Sequence, residues 1–252
     1  MIPVFTFLLG SIVGSFLNVC IYRLPLDRDV IFKPSECTKC AKKIKWYQNI
    51  PIISFIFLKG KCGSCKEKIS LQYPIVELIT AVSFLLNFSI YGTSLNFIFA
   101  TIFTTSLILI FFTDFKDFLI FDAVTLPVTL IGFVVSLVVY NPFNVTFLNS
   151  IIGACTGYSI IFFIRWFYLK FKGVEGMGLG DAKLFLMIGA WLGIHSLLFI
   201  LLFSSVAGSI FGGAMILLGK NKRYTHIPYG CFIVVASFGY LFFGEIIYNS
   251  LF

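Results

Sequence analysis

The side chains best suited to chemistry are carboxylates at the ends of apolar runs. Asp114 closes the run that ends at Thr113, Asp117 follows one helical turn later if the helix continues, and Asp122 opens the next run. Asp181 follows Gly176-Met177-Gly178-Leu179-Gly180. Gly178 and Gly180 allow close backbone approach or positive φ, and Lys183 stands near enough to balance charge. Glu77 and Glu245 lie inside apolar runs, where an ionisable group is costly and marks a functional candidate. Asp114 and Asp181 fall at the same expected depth on one side of a membrane. Two carboxylates held close cannot both ionise readily, so the pair can act as acid and base on a water molecule. The same groups suit proton or cation transport equally well. The plain structural roles are a helix N-cap for Asp181 and loop charges for Asp114 and Asp122.

A second cluster is thiol-based. Cys37-Thr-Lys-Cys40 and Cys62-Gly-Ser-Cys65 have the arrangement of a four-thiolate zinc knuckle. Two disulfides or redox pairs are the other readings, and a cytoplasmic setting disfavours stable disulfides. Four thiolates leave no open coordination position, so the expected metal is structural. Cys20, Cys155 and Cys231 lie in or beside apolar runs and read as small packing residues.

The elements that must position these groups are membrane helices. Of the 252 residues, 59% are hydrophobic and only 12% charged, against about 25% charged in a soluble domain. Mean hydropathy is +0.98. The run from Ile2 to Tyr22 has no charge, no basic segment ahead of it and a basic stretch after it, which reads as a retained first span rather than a cleaved signal. Further apolar stretches fall near 72–90, 95–113, 118–140, 147–169, 184–194, 196–218 and 228–250. As one helix, Leu184 to Gly219 would rise ~54 Å, against a hydrocarbon layer of ~30 Å. It must break, and Gly193, His195 and Ser196 are the expected turn.

The expected fold is therefore all-α and polytopic, with about eight transmembrane helices and a small cytoplasmic zinc-knuckle insert. Residues 1–22 form the first span, 23–71 the cysteine-rich insert and 72–252 a seven-helix core. Eight spans place all 19 basic residues on one side, which the positive-inside rule assigns to the cytoplasm, with the N-terminus outside. The net charge of +8 then reports topology and lipid contact rather than nucleic-acid binding. The insert is too small for a substantial core, and a metal supplies the missing folding energy. The glycine-rich stretch before Asp181 lacks Walker spacing and a strand context, so it is no nucleotide loop. His195 is expected on the opposite face from the aspartates, which argues against a serine hydrolase built on Ser11 or Ser15.

Several segments together resemble the type IV prepilin peptidases, the leader peptidases and N-methyltransferases of bacterial pilus and type II secretion systems. They are Gly14-Ser15-Phe16-Leu17-Asn18-Val19, Tyr22-Arg23-Leu24-Pro25, the two cysteine pairs, Asn49-Ile50-Pro51 and Gln72-Tyr73-Pro74-Ile75-Val76-Glu77. Asp114 with Asp122, Gly178-Leu179-Gly180-Asp181 and Ile227-Pro228-Tyr229-Gly230 complete the match. The resemblance spans nearly the whole chain. It implies proteolysis by Asp114 and Asp181 at the cytoplasmic membrane edge of a bacterial inner membrane. It also implies prepilin or pseudopilin substrates with a basic leader and an apolar helix, and methylation of the new N-terminus by S-adenosylmethionine. On this basis Asp117, Asp122 and Glu175 attract the leader's basic residues, and Asn18, Arg23, Asn49 and Glu77 are candidates for the methyl-donor site. Phe121, Thr38 and Cys231 depart from the family pattern, each standing where proline is frequent. The competing expectations are an ion-coupled transporter using the same carboxylates and a non-enzymatic assembly factor with a zinc docking domain. Oligomeric state and the identity of the pilin are not legible.

Overall fold

The computed structural model describes residues 1–138, 141–173, 177–218 and 227–251, the last seven of these by backbone alone. The chain is an all-α polytopic membrane protein. Its helices are α1 (Ile2–Arg23), α2 (Ile53–Phe57), α3 (Gln72–Tyr91), α4 (Leu95–Asp117), α5 (Asp122–Val138), α6 (Phe147–Lys172), α7 (Leu179–Leu192), α8 (Ile194–Leu217) and α9 (Tyr229–Leu251). Among the described residues five of them, α1, α3, α4, α6 and α8, are long and apolar enough to cross a membrane, and α5 and the Tyr229–Gly244 part of α9 are shorter apolar stretches. In α8 the side chains of Leu198, Leu202, Phe203, Val206 and Ile210 are exposed. Such an outward apolar face suits lipid, and helices suit lipid because they satisfy their own backbone hydrogen bonds.

The expected break in the long apolar stretch falls at Gly193. Its φ of +72° ends α7 and starts α8 in one residue. His195 and Ser196 belong to α8 rather than to the turn, because one left-handed glycine suffices to separate the two helices.

Two compact units divide the chain, Met1–Leu109 and Ile110–Phe252, with the boundary inside α4. In the first unit α1 and α3 run antiparallel over a seam of small residues. Gly10 lies against Ala81 and Phe84, and Gly14 lies against Glu77, where a Cβ would come 2.7 Å from the Glu77 Cα. One turn further along α1, Asn18 Nδ2 donates to the Tyr73 carbonyl at 3.0 Å. Steps of four along α1 thus meet steps of four back along α3. Small residues four apart let helix backbones approach where dispersion, rather than a hydrophobic driving force, holds helices together. Asn87 Nδ2 ties α3 to α4 through Thr104 Oγ1 at 2.9 Å.

In the second unit α7 is wrapped by α5 and α6. Its Phe185, Ile188 and Trp191 are fully buried. Gly153 of α6 and Gly189 of α7 meet backbone to backbone. Trp191 Nε1 donates to the Val128 carbonyl at 2.8 Å, in space left open by Gly132. The Tyr229 hydroxyl joins α9 to α8 through Ser204 and Ser205 at 2.9 and 3.1 Å.

Candidate active site and metal centre

Asp114 and Asp181 both lie in the second unit, and both are buried, at 5% and 8% exposure. Asp114 sits in the last turn of α4. The Cys231 backbone N–H donates to its Oδ2 at 3.0 Å, and the Gly230 N–H also faces it. These are among the first N–H groups of α9, which have no partner within their own helix. Asp181 is the third residue of α7, and its Oδ2 accepts from the Gly178 N–H at 3.1 Å. Each carboxylate therefore rests at a helix N-terminus, where the backbone dipoles favour negative charge.

The two carboxylates act on one another electrostatically. Ile120 packs beside both Gly180 and Gly230, the glycines next to this site. A Cβ on Gly180 would come 3.0 Å from Ile120 Cβ, and a Cβ on Gly230 would come 2.8 Å from Asp114 Oδ2 and 3.0 Å from Ile120 Cδ1. Gly178 has a φ of −74°, so positive φ is not what glycine supplies there. The need for glycine at 180 and 230 is steric clearance.

The other acidic groups are arranged differently. Lys183 Nζ bonds both carboxylate oxygens of Asp122 at 2.6 Å, so its charge meets Asp122 rather than Asp181. Asp117 has a Lys116 Nζ at 3.7 Å and an Oδ2 that is shielded from solvent without a hydrogen-bond partner. Glu175 and the Glu245 side chain lie outside the described residues.

In the first unit the four cysteines converge. Their Sγ atoms all lie within 4.8 Å of one another, and Cys37 Sγ is 3.9 Å from Cys65 Sγ. A tetrahedral four-thiolate site with metal–sulfur bonds of ~2.3 Å needs sulfurs about 3.8 Å apart, whereas a disulfide needs ~2.05 Å. The donor set fits a metal. Two matching turns build it. Cys37 N–H donates to the Lys42 carbonyl and Ala41 N–H to the Cys37 carbonyl, while Cys62 and Lys66 repeat the pattern with Glu67 and Cys62. Ala41 and Lys66 both have positive φ, and the Glu36–Lys43 and Lys61–Lys68 bridges close the turns. The Cys65 and Ser64 backbone N–H groups hold the Cys62 thiol down to about 6. The Cys65 thiol is pushed up to about 11, because the Glu67 N–H that favours its thiolate is outweighed by desolvation and the neighbouring thiols. Metal binding must displace the protons these thiols hold.

Asn18, Arg23, Asn49 and Glu77 line a single cavity of about 350 Å³ in this unit, which also borders Cys37 and Cys62. That volume is at the lower end for small-molecule sites. Arg23 is buried, and its Nη1 and Nη2 donate to the carbonyls of Asp29, Lys33 and Pro34 at 2.8–3.0 Å, so it folds the 29–34 loop along the cavity. Glu77 Oε2 accepts from the Ile52 N–H at 2.7 Å, and the Ser15 hydroxyl also bonds it. Ile52 has φ +61° and ψ −52°. That conformation is an outlier for a β-branched residue and costs ~1–3 kcal/mol. Asn49-Ile50-Pro51 reads in sequence only as a turn; the signal for its purpose was the buried acid at Glu77, which needs a donor. Ile52, Ile120, Gly230 and the Cys231 N–H were not recognisable as site residues. The Gly10-x-x-x-Gly14 spacing, which seats α1 at Glu77, was present in the sequence.

Comparison with known proteins gives a consistent family. Residues 8–91 match a family model described as the bacterial peptidase A24 N-terminal domain, and residues 101–213 match the type IV leader peptidase family. The chain is 33% identical to a prepilin leader peptidase/N-methyltransferase of Pseudomonas putida, across 96% of this chain and 91% of that protein. It is 34% identical to the protein of the same name from Dichelobacter nodosus, across 92% and 88%. With the Neisseria gonorrhoeae protein of that name it shares 36% identity across 87% and 84%. No solved structure matches. The chain belongs to the type IV prepilin peptidase family.

Proposed function

We propose that this protein removes the basic leader from type IV prepilins or pseudopilins at the cytoplasmic face of a bacterial inner membrane, and then methylates the new N-terminus from S-adenosylmethionine. The observation that most supports cleavage is that Asp114 and Asp181 are both buried carboxylates, each standing at a helix N-terminus in one compact unit.

On this reading eight helices cross the membrane with the N-terminus outside. The insert 23–71 and both aspartates face the cytoplasm, and residues 72–252 form the peptidase core. A prepilin enters with its apolar helix in the bilayer, which brings the bond after the leader to the depth of the aspartates. One carboxylate takes a proton from a water molecule, whose oxygen attacks the scissile carbonyl. The other, protonated, donates to the developing tetrahedral oxygen. The pair titrates as a unit, so the shared proton belongs to neither member. Asp117 suits a basic leader better than Asp122, whose carboxylate already holds Lys183. Cys37, Cys40, Cys62 and Cys65 hold a structural zinc, which supplies folding energy to an insert with little core. The cavity lined by Asn18, Asn49 and Glu77 receives the methyl donor. Incubating membranes that carry Asp114→Asn or Asp181→Asn protein with a prepilin tests the reading. Cleavage at the wild-type rate by either variant overturns it.

A further inference from the structure

Asn18 is 3% exposed and lines the cavity of the first unit. Its Nδ2 donates to the carbonyls of Gly14 and Tyr73. That fixes the amide orientation, since a flipped amide would set its oxygen against two carbonyls. The remaining atom, Oδ1, is shielded from solvent and has no hydrogen-bond partner. Buried polar atoms of this kind are rare and need an explanation. One helical turn away along the same seam lies Glu77, 7% exposed and lining the same cavity. Its charge meets two neutral donors, the Ile52 N–H and the Ser15 hydroxyl, and among the described residues no basic side chain pairs with it. Of the basic groups of the cavity, Arg28, Lys33, Lys39 and Lys68 are exposed and form its rim with Glu36 and Glu67, while the buried Arg23 is spent on the carbonyls of Asp29, Lys33 and Pro34.

We infer that Asn18 Oδ1 and the Glu77 carboxylate form a subsite for a primary ammonium group. A protonated amine carries what these two side chains are without: a positive charge for Glu77 and several N–H donors, one of which satisfies Asn18 Oδ1. The strained Ile52 holds Glu77 Oε2 fixed, so the carboxylate is oriented before the ligand arrives. The basic rim favours a ligand whose other end is neutral or anionic. This inference rests on the reading of the chain as a processing enzyme with a methyl-transfer step, which offers two sources of such an amine. One is the N-terminal amine exposed by cleavage, and the other is the amino-acid head of the methyl donor.

Calorimetric titration of the purified, metal-loaded full-length protein in detergent decides between them. One arm compares an apolar peptide bearing a free α-amine with its N-acetylated twin. The other compares S-adenosylhomocysteine with 5′-methylthioadenosine, which lacks the amino-acid head. At least tenfold tighter binding of the amine-bearing member in either arm is expected and names the source. Glu77→Gln should erase that preference, and Glu77→Asp should restore part of it. Wild-type protein that discriminates in neither arm overturns the inference without recourse to any variant. So does a preference that survives Glu77→Gln in protein with wild-type metal content and melting midpoint. Prepilin cleavage is measured on the same wild-type preparation. Cleavage without amine preference removes this inference alone, and loss of both removes the reading beneath it.

Discussion

The backbone N–H of Cys231 donates to Asp114 Oδ2 across 3.0 Å, while the thiol of the same residue turns to the Phe111 carbonyl at 3.3 Å. The carboxylate thus takes a backbone donor from Cys231, and the thiol lies within its reach as well. Cys231→Ala keeps the N–H and loses only the weak thiol contact, so it should cleave prepilin closer to the wild-type rate than a variant without the N–H. Cys231→Pro removes the N–H and one bond to a charged acceptor, worth ~1.5–3 kcal/mol, so cleavage should slow by about tenfold or more. Initial rates of leader removal on gels read both, and equal rates for the two variants would discard the role given to this N–H.

Removal of either carboxylate tests the pair itself. General acid–base catalysis contributes roughly 10²–10⁴-fold. Asp114→Asn and Asp181→Asn should each lose at least ~10²-fold in cleavage, and the double variant should lose little more, because the two groups act as one unit. Multiplicative losses in the double variant would mean that the aspartates act separately.

Clearance at Gly14 sets the seam between α1 and α3. A methyl there would come 2.7 Å from the Glu77 Cα, which is backbone and cannot swing away. Gly14→Ala should destabilise the first unit by ~1–3 kcal/mol, the range for overpacking a tight contact. Thermal unfolding in detergent checks this; an unchanged midpoint would show that the helices separate at no cost.

Metal removal should loosen the insert selectively. With four sulfurs converging and few buried side chains around them, chelation or Cys37→Ser should expose residues 23–71 to limited proteolysis. Metal uptake at neutral pH should release protons, which calorimetry in buffers of different ionisation enthalpy detects. Protein purified without bound metal yet resistant to protease would contradict the structural role.

Leader recognition should divide unequally between two aspartates. Asp122 is half-exposed and held by Lys183, an ion pair worth up to ~1 kcal/mol at such exposure. Asp117 Oδ2 has no hydrogen-bond partner and only a longer ion pair, with Lys116 Nζ at 3.7 Å. Asp117→Asn should therefore weaken the dependence of cleavage on leader charge more than Asp122→Asn does. The measurement is kcat/KM for leaders with successive lysines replaced, and the opposite ranking would reverse the assignment.

Much of the helical framework was legible because apolar runs and their interruptions are local. Gly193 marked the break between α7 and α8, and Asp122 marks the start of α5. The matching cysteine turns were legible for the same reason, since each is set within a few residues. The contacts that orient the site were not. Lys183 meets Asp122, and Cys231 meets Asp114, across long stretches of sequence, so no spacing rule connects them. Ile52 gave no sign that its N–H would aim at Glu77, because a β-branched residue is a poor candidate for positive φ and only the tertiary structure imposes it. Asn18 was a candidate only through the family resemblance, and the loneliness of its Oδ1 depends on where Tyr73 falls on the facing helix.

The early break at Gly193 leaves α7 with only 14 residues. Such a helix rises about 21 Å, well short of a hydrocarbon layer of ~30 Å. On the eight-span proposal α7 crosses the bilayer, and an element that short would meet hydrophobic mismatch, which a bilayer relieves by thinning beside it. Asp181, in the first turn of α7, would then draw the wet headgroup zone inward. A protease that must hydrolyse a bond at the membrane edge needs water at that depth, and a truncated helix is one way to bring it there.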